Sequence, residues 1–222
     1  MFTKIELFNQ ALTAIGNAAR VTDPDSTTEK SAALCSLWFK RAVLAVTSAH
    51  HWPCVRKTAK LALVRERDSD LDWANSDPEP GYLYAYTLPP DCVQPQYLTD
   101  LMRFEVTRLG AAKVLCTNSA RPILRYSIYE ANVALWDIDF YAAVQLTLAA
   151  FINMATNGKL QLTQKLENDA RLLLENASMA MANQEDTYFE AVPSTWNGTG
   201  FSIPVPQATY YYPTQTLRVT SQ

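Results

Sequence analysis

The chain of 222 residues is 48% hydrophobic and 18% charged, a composition typical of a folded protein with a sizeable core. Its net charge of −3 gives no electrostatic reason to expect a grip on a phosphate backbone, and no basic amphipathic stretch indicates a membrane surface. The N-terminus lacks a signal-peptide pattern, and no apolar run approaches about 20 residues, so we expect no segment that spans a bilayer. The cysteines are widely spaced, which predicts reduced thiols in a cytoplasm, packed as small hydrophobes: Cys35, Cys54, Cys92 and Cys116.

Two helices are predicted in the N-terminal part of the chain. Apolar side chains recur at helical spacing over Ile5–Ile15, and Gly16 follows as a natural stop. The second helix is predicted over Ser26–His51, with Ser26 or Thr27 as its N-terminal cap. The apolar residues of this helix cover much of its circumference, so we expect it to lie between neighbours: Leu34, Leu37, Trp38, Leu44 and Ala45, widened by Phe39, Ala42 and Val46.

Five polar or aromatic residues of this helix and its end need separate interpretation. Arg41 falls within the apolar stripe and should reach solvent or find a partner, whereas Lys40 should be solvated. His50 and His51 are adjacent, so on a helix they point about 100° apart and do not form a metal site. Trp52 is predicted to fill part of the core.

The pattern changes to β-structure after Cys54. A strand is predicted over Lys60–Arg65, followed by the polar connection Glu66–Pro80. Two carboxylates of this connection, Glu66 and Asp70, could hydrolyse a glycosidic bond if one were desolvated. A solvated loop with ordinary pKa values is the favoured interpretation of these acids.

The stretch Tyr82–Cys92 (YLYAYTLPPDC) organises this part of the chain. Its tyrosines alternate with other side chains at the period of a half-buried strand. Pro89 and Pro90 have no N–H donor and end the strand, and the Asp91 side chain can close a turn. The pattern predicts an edge strand that runs into a turn.

Three further strands are predicted before the helices return. Arg103–Arg108 and Lys113–Cys116 flank a turn at Gly110. Ile123–Tyr129 places three large side chains on one face: Leu124, Tyr126 and Ile128.

Two further helices are predicted after the strands, over Asp139–Asn157 and Gln161–Glu185. Met179 and Met181 are interpreted as core gap-fillers rather than cofactor ligands. We expect the core to include five large side chains: Leu34, Leu44, Trp52, Leu148 and Phe151.

The final segment, residues 187–222, is poor in charge and rich in proline and aromatic residues. Prolines at this density favour an extended chain over a helix, and the aromatic side chains need burial. The segment is therefore predicted to be an intermolecular arm; the alternative is that it folds back on its own domain. The candidate partner-binding residues are Trp196, Phe201, Tyr210, Tyr211, Tyr212 and Leu217.

Together these patterns predict an α+β fold. An antiparallel helical bundle (residues 1–53 and 137–186) would carry an inserted antiparallel β subdomain (54–136) and an extended C-terminal arm (187–222). No nucleophile–base pair and no metal-ligand spacing stands out, so we predict no catalytic, cofactor or metal site.

Several short motifs resemble a known family: Ala14–Gly16, His51–Pro53, Tyr84–Cys92, Arg125–Tyr126 and Trp136–Phe140. In this order they are similar to those of the tail tubular protein A group, the head-to-tail adaptors of short-tailed bacteriophages. The likeness covers roughly residues 1–185, and Leu-Pro-x-Asp-Cys is its most specific part.

The resemblance implies a virion protein at the head–tail junction, assembled in the host bacterial cytoplasm. It implies a ring, commonly of twelve copies, between the portal protein and the tail nozzle (tail tubular protein B). DNA would pass through the channel without sequence-specific binding, and the mild negative charge fits a conduit. The family motifs imply no catalytic residue.

Two other classes of function stay open at this stage. One is a cell-wall glycan hydrolase that uses loop carboxylates such as Glu66 and Asp70. The other is a generic helical scaffold protein without a phage role, which would remain monomeric beside a portal.

Overall fold

The computed structural model describes residues 2–67, 78, 80–156 and 158–185, with the side chains of 178 and 180–185 left out. Contacts divide the chain after residue 183, and residues 1–183 form the first compact unit. The first unit combines α-helices with antiparallel sheets, which confirms the predicted α+β class. The predicted C-terminal arm lies outside the described residues.

Four α-helices are present in the described part of the chain: α1 (Lys4–Ala14), α2 (Lys30–Ala49), α3 (Ile138–Thr156) and α4 (Leu160–Glu185). Helix α1 begins with a reciprocal cap, in which the Thr3 side chain accepts from the Glu6 N–H and the Glu6 carboxylate accepts from the Thr3 N–H. It ends where predicted, before Gly16 at φ +75°.

Helix α2 is shorter at both ends than predicted. The Ser26 hydroxyl accepts from the Glu29 N–H at 3.3 Å, so Ser26 belongs to the turn before the helix, which begins at Lys30. At the other end, His50 has an extended backbone (φ −153°, ψ 162°), and the helix stops at Ala49 rather than His51.

The buried face of α2 is rotated from the predicted one. Leu37 is 70% exposed, Ala45 is also exposed, and Leu34 and Leu44 are only partly buried. Because the helix is apolar around most of its girth, periodicity alone could not tell which side faces the core. The residues that are buried are Ala32, Cys35, Phe39, Ala42, Val43, Val46 and Thr47.

Lys40 and Arg41 of α2 behave as predicted. The Arg41 guanidinium carbon lies 5.5 Å from the centre of the Trp38 ring and 5.2 Å from that of Phe151. These contacts are within the range of cation–π attraction, so Arg41 has the expected partners. Lys40 is exposed, with its Nζ 5.7 Å from the centre of the Tyr129 ring.

Seven strands form two antiparallel sheets in the described residues. The strands are β1 (Arg56–Lys60), β2 (Ala62–Glu66), β3 (Tyr84–Thr87), β4 (Cys92–Leu98), β5 (Phe104–Leu109), β6 (Ala112–Thr117) and β7 (Ile123–Ile128). One sheet has three strands in the order β1-β7-β4, and the other has four in the order β2-β3-β6-β5. The chain passes between the two sheets at β1–β2, β3–β4, β4–β5 and β6–β7.

Three details of the strands differ from the sequence expectation. The predicted strand Lys60–Arg65 is interrupted at Leu61, and its halves belong to different sheets. Strand β3 is an inner strand between β2 and β6, not an edge strand. Strand β4 was not predicted, because Pro95 within it argues against a strand; it is tolerated at the edge of the three-stranded sheet.

The remaining strand predictions are confirmed. Strands β5 and β6 flank a turn at Gly110, whose φ of +61° favours glycine. Leu124, Tyr126 and Ile128 of β7 are buried together on one face.

The main core lies where α1 and α2 pack on α3 and where α2 meets β4 and β7. Trp52 and Leu148 are fully buried, as predicted, whereas Phe151 is only partly buried. On α4, Leu166, Ala170 and Ala177 are buried. Met179 is 68% exposed, so its interpretation as a gap-filler is wrong, and the Met181 side chain lies outside the described residues.

A buried amide fixes the connection between α3 and α4. The Asn153 side chain donates to the Lys159 carbonyl at 2.9 Å and to the Thr163 hydroxyl at 2.8 Å. The Asn153 carbonyl accepts from the Gly158 N–H at 2.9 Å, with Gly158 at φ +61°. These bonds satisfy the polar groups of the turn and set how α4 leaves α3.

Helices α2 and α3 are long and apolar enough to cross a bilayer, judged by length and composition alone. The expectation that no such segment exists was therefore too simple. Half of the α3 window is buried inside the protein, where Phe140, Val144 and Leu148 pack in the core. A core helix passes the same test as a membrane helix.

Candidate partner-binding surface

The Leu-Pro-Pro-Asp-Cys turn is one of the connections between the two sheets. A turn lies where it was predicted, but the main chain closes it: the Cys92 N–H donates to the Pro89 carbonyl at 3.0 Å, and the Asp91 side chain does not take this role. One Asp91 oxygen accepts from Lys57 Nζ of β1 at 2.9 Å, and the other accepts from the Tyr126 hydroxyl of β7 at 3.1 Å. Asp91 therefore fastens the turn to β1 and β7 of the three-stranded sheet.

The same contacts change the acidity of both groups. The hydrogen bond from Lys57 lowers the pKa of the Asp91 carboxyl, and the bond from Tyr126 acts in the same direction. Burial raises the pKa of Tyr126 to about 12, and the bond to Asp91 adds to this effect. In the Leu-Pro-Pro-Asp-Cys motif, the charged Asp91 side chain therefore has a structural role.

Asp91→Asn is expected to lower the free energy of unfolding by about 0.5–1 kcal/mol at pH 7, since the side chains of Lys57 and Asp91 are 52% and 42% exposed and water screens the pair. A carboxyl with a lowered folded-state pKa contributes stability above its unfolded pKa of about 3.9. This contribution is lost as the pH falls through the folded value.

Urea unfolding at several pH values measures this effect. The difference between wild type and Asp91→Asn should vanish at low pH, while Glu167→Gln on the exposed surface of α4 should have little effect at any pH. A difference that stays constant down to pH 2 would show that the ion pair is not its source.

Two other motifs of the chain meet in one aromatic cluster. Phe140 contacts Trp52 and Trp136 edge to face, with ring centres 5.2 and 5.0 Å away. Trp136 also stacks on Phe39 of α2 at 6.0 Å. The Trp52 indole N–H donates to the Val46 carbonyl at 2.9 Å, which satisfies its polar group in a fully buried site.

The four-stranded sheet and the segments next to it carry six of the exposed large apolar side chains of the described residues. Its inner strands have a small core of their own, formed by Ala85, Val114 and Cys116. Around this core, large apolar side chains lie 38–52% exposed: Leu63, Val64, Leu83, Leu101, Met102 and Val106. A partner that covered these side chains would remove their apolar surface from water, so this part of the sheet is a candidate partner-binding surface.

A groove of about 510 Å³ lies at one end of this sheet, between the start of β3 and the start of β5. Tyr82, Met102 and Asn118 are among its lining residues. Nearby, Leu101 has a left-handed backbone (φ +57°), which is unusual for a side chain other than glycine or asparagine. The turn before β5 therefore presents an exposed apolar residue in a fixed, strained conformation.

The residues considered for catalysis or metal binding are not brought together. Glu66 lies on the exposed strand β2, and Asp70 lies outside the described residues. The rings of His50 and His51 stack with centres 6.3 Å apart, and the described residues contain no group of three metal-ligating side chains. The candidate partner-binding residues of the C-terminal segment also lie outside the described part: Trp196, Phe201, Tyr210, Tyr211, Tyr212 and Leu217.

The four cysteines are all free thiols, and Cys35 and Cys116 are buried. Burial raises the pKa of Cys35 to about 12, and the pKa values of Cys54 and Cys92 to about 11. These thiols are small packed groups rather than nucleophiles, in agreement with the sequence interpretation.

We expect these three thiols to react with a disulfide reagent at pH 8 on the order of 100-fold more slowly than in the urea-unfolded chain, because the reactive thiolate is suppressed. Mass spectrometry of the labelled peptides would give the rate of each cysteine. A thiol that reacts in the native protein as fast as in urea would contradict the pKa assignment for that residue.

No family model matches this chain, and no curated protein matches it in sequence.

Proposed function

We propose that this protein is a structural head-to-tail connector of a short-tailed phage. It forms a ring between the portal protein and the tail nozzle, conducts DNA without sequence-specific binding, and recruits tail components. It acts in the virion as an assembly part and has no catalytic role.

One observation carries the proposal: the separate motifs behind the family resemblance lie at two junctions of the fold. Trp52 and Trp136 meet on Phe140 where the helices join the β-structure, and Asp91 binds Tyr126 where the two sheets connect. Their placement supports an adaptor scaffold that fixes a sheet-bearing body to a set of helices.

The exposed apolar side chains of the four-stranded sheet support an assembly role. Leu63, Leu101 and Met102 are 52%, 52% and 44% exposed, and a partner that covered them would remove their apolar surface from water. The helices would form the antiparallel bundle of the adaptor, with the β-structure as its insertion. Net charge of −3 over 222 residues suits a channel that releases DNA.

The C-terminal segment of residues 187–222 would be the arm that reaches a partner. An extended chain of about 30 residues spans on the order of 100 Å, enough to cross a neighbouring subunit or reach the portal. Tyrosine and tryptophan give large contact areas with little rotamer entropy to lose, so Trp196 and Tyr210–Tyr212 suit anchors.

Deleting residues 196–222 tests the arm and the connector role together. The truncated monomer is expected to keep its thermal midpoint, but to lose binding to the portal protein from the same genome and to fail in completing rings. Differential scanning calorimetry and co-sedimentation with portal measure the two effects. A sharply lower midpoint with unchanged portal binding per folded molecule would place the segment in its own domain and contradict the arm.

A further inference from the structure

The two edges of the four-stranded sheet are complementary to each other. Strands β2, β3, β6 and β5 pair in that order, each antiparallel to the next, so β2 and β5 run in opposite directions. In the described part of the chain, β2 pairs only with β3, and β5 only with β6. A second copy that continued the sheet would therefore place its β5 antiparallel to β2 of the first.

The β2 edge is open to such a partner. All five of its residues are exposed, including Leu63 at 52% and Val64 at 48%. On the opposite edge, Glu105, Val106 and Arg108 of β5 are exposed. An exposed strand edge with apolar side chains is a template for pairing with another chain.

The register within the sheet defines how the copies would match. One row across the sheet runs Arg65, Ala85, Cys116, Glu105, and another runs Leu63, Tyr86, Leu115, Val106. Continuing these rows without stagger sets Arg65 beside Glu105 of the next copy, and Leu63 beside its Val106.

This register joins opposite charges on one face and apolar side chains on the other. The irregularity of β2 between Leu63 and Arg65 keeps each residue on the same face as its new partner. A slip of two residues would instead set Arg65 beside Arg103 or Thr107, so charge favours the unstaggered match. Arg65 already interacts within its own chain, and a guanidinium with five N–H donors can bind a second carboxylate.

We propose that copies of this protein associate head to tail by pairing β2 of one copy with β5 of the next, which makes one sheet continuous across subunits. Such a heterologous contact repeats around a ring when its rotation closes. This contact deepens the proposed function, on which it rests for the closed ring.

Disulfide trapping between two single variants tests the contact. Directly opposed residues have Cβ atoms about 5 Å apart, within reach of a disulfide after modest adjustment, whereas β2 and β5 of the same sheet are separated by about 14 Å, too far for a bond within one chain. Full-length Leu63→Cys and Val106→Cys proteins are mixed at tens of micromolar, alone and with portal, and oxidised mildly. The expected product is a Leu63→Cys–Val106→Cys dimer, identified by its linked peptides.

The matched control pairs Leu63→Cys with Glu105→Cys, which lies next to Val106 but on the opposite face, and should give little of the linked product. Charge reversal is the second readout: Arg65→Glu and Glu105→Arg should each weaken association at least tenfold in sedimentation velocity, and the double variant should restore it.

The outcomes separate this contact from the proposed function. Rings that form with portal but give no Leu63–Val106 product, or equal product in the control, would overturn the strand pairing and leave the connector role standing. The linked product without any binding to portal would support the pairing and contradict the connector role. Absence of the product under both conditions, with unchanged thermal midpoints, would overturn the pairing.

Discussion

Trp52→Ala is expected to lower the free energy of unfolding by about 3–5 kcal/mol, the cost of truncating a large buried aromatic side chain. Trp52 is completely buried, and it is the largest of the fully buried side chains. Its removal leaves a cavity beside Phe140. It also removes the indole N–H that donates to the Val46 carbonyl. Because the free energy of unfolding of a domain is only about 5–15 kcal/mol, this substitution would remove a large part of it.

Urea unfolding followed by circular dichroism measures this loss, and Trp52→Phe is its matched control. Phenylalanine keeps a ring beside Phe140 but lacks the N–H that binds Val46, so it should cost less than alanine. A Trp52→Ala loss below about 1 kcal/mol, within the range of many ordinary substitutions, would contradict the placement of Trp52 in the core.

Leu148→Ala is the second large effect, with an expected loss of about 2–5 kcal/mol. Leu148 is fully buried on the face of α3 that also buries Phe140, Val144 and Ile152. The surrounding helices can close only part of the resulting cavity, which sets the size of the loss within that range.

Leu172→Ala is the control for this substitution, since it makes the same chemical change at a residue of α4 that is 53% exposed. Its effect should stay within about 0.5 kcal/mol, as for a surface position. Equal losses for the two variants in denaturant unfolding would show that Leu148 does not occupy the core.

The sequence was most informative where one property decided the structure. Glycine after an apolar stripe located the end of α1, and alternation with a glycine turn located β5 and β6, because these signals act over a few residues. The burial of Trp52 followed from its size and aromatic character, and that of Leu148 from its position in an apolar stripe.

The predictions were wrong where contacts between residues far apart in the sequence determine the structure. Leu37 and Phe39 are both apolar, and only the packing of α2 against α1, α3 and the β-structure determines that Phe39 is buried and Leu37 exposed. Strand β3 was expected at an edge because Pro89 and Pro90 follow it, yet its pairing on both sides is made by residues far along the chain. Strand β4 was not predicted because Pro95 argues against a strand when only the local sequence is considered.

Only part of the candidate partner-binding surface could be predicted from the sequence. The pair of complementary edges on β2 and β5 depends on the strand order β2-β3-β6-β5, which local patterns do not specify. The roles of Asp91 and Asn153 likewise depend on partners in other elements, Lys57 and Tyr126 for the first and Thr163 for the second. A short polar side chain near a turn was the sole sequence signal for either.

Electron microscopy of the full chain mixed with the portal protein from the same genome tests the connector role most directly. The connector account predicts a second ring, coaxial with the portal ring, with one adaptor copy or more at each portal subunit and an open central channel. Portal rings that remain bare in the presence of excess folded protein, together with a chain that stays monomeric, would contradict it.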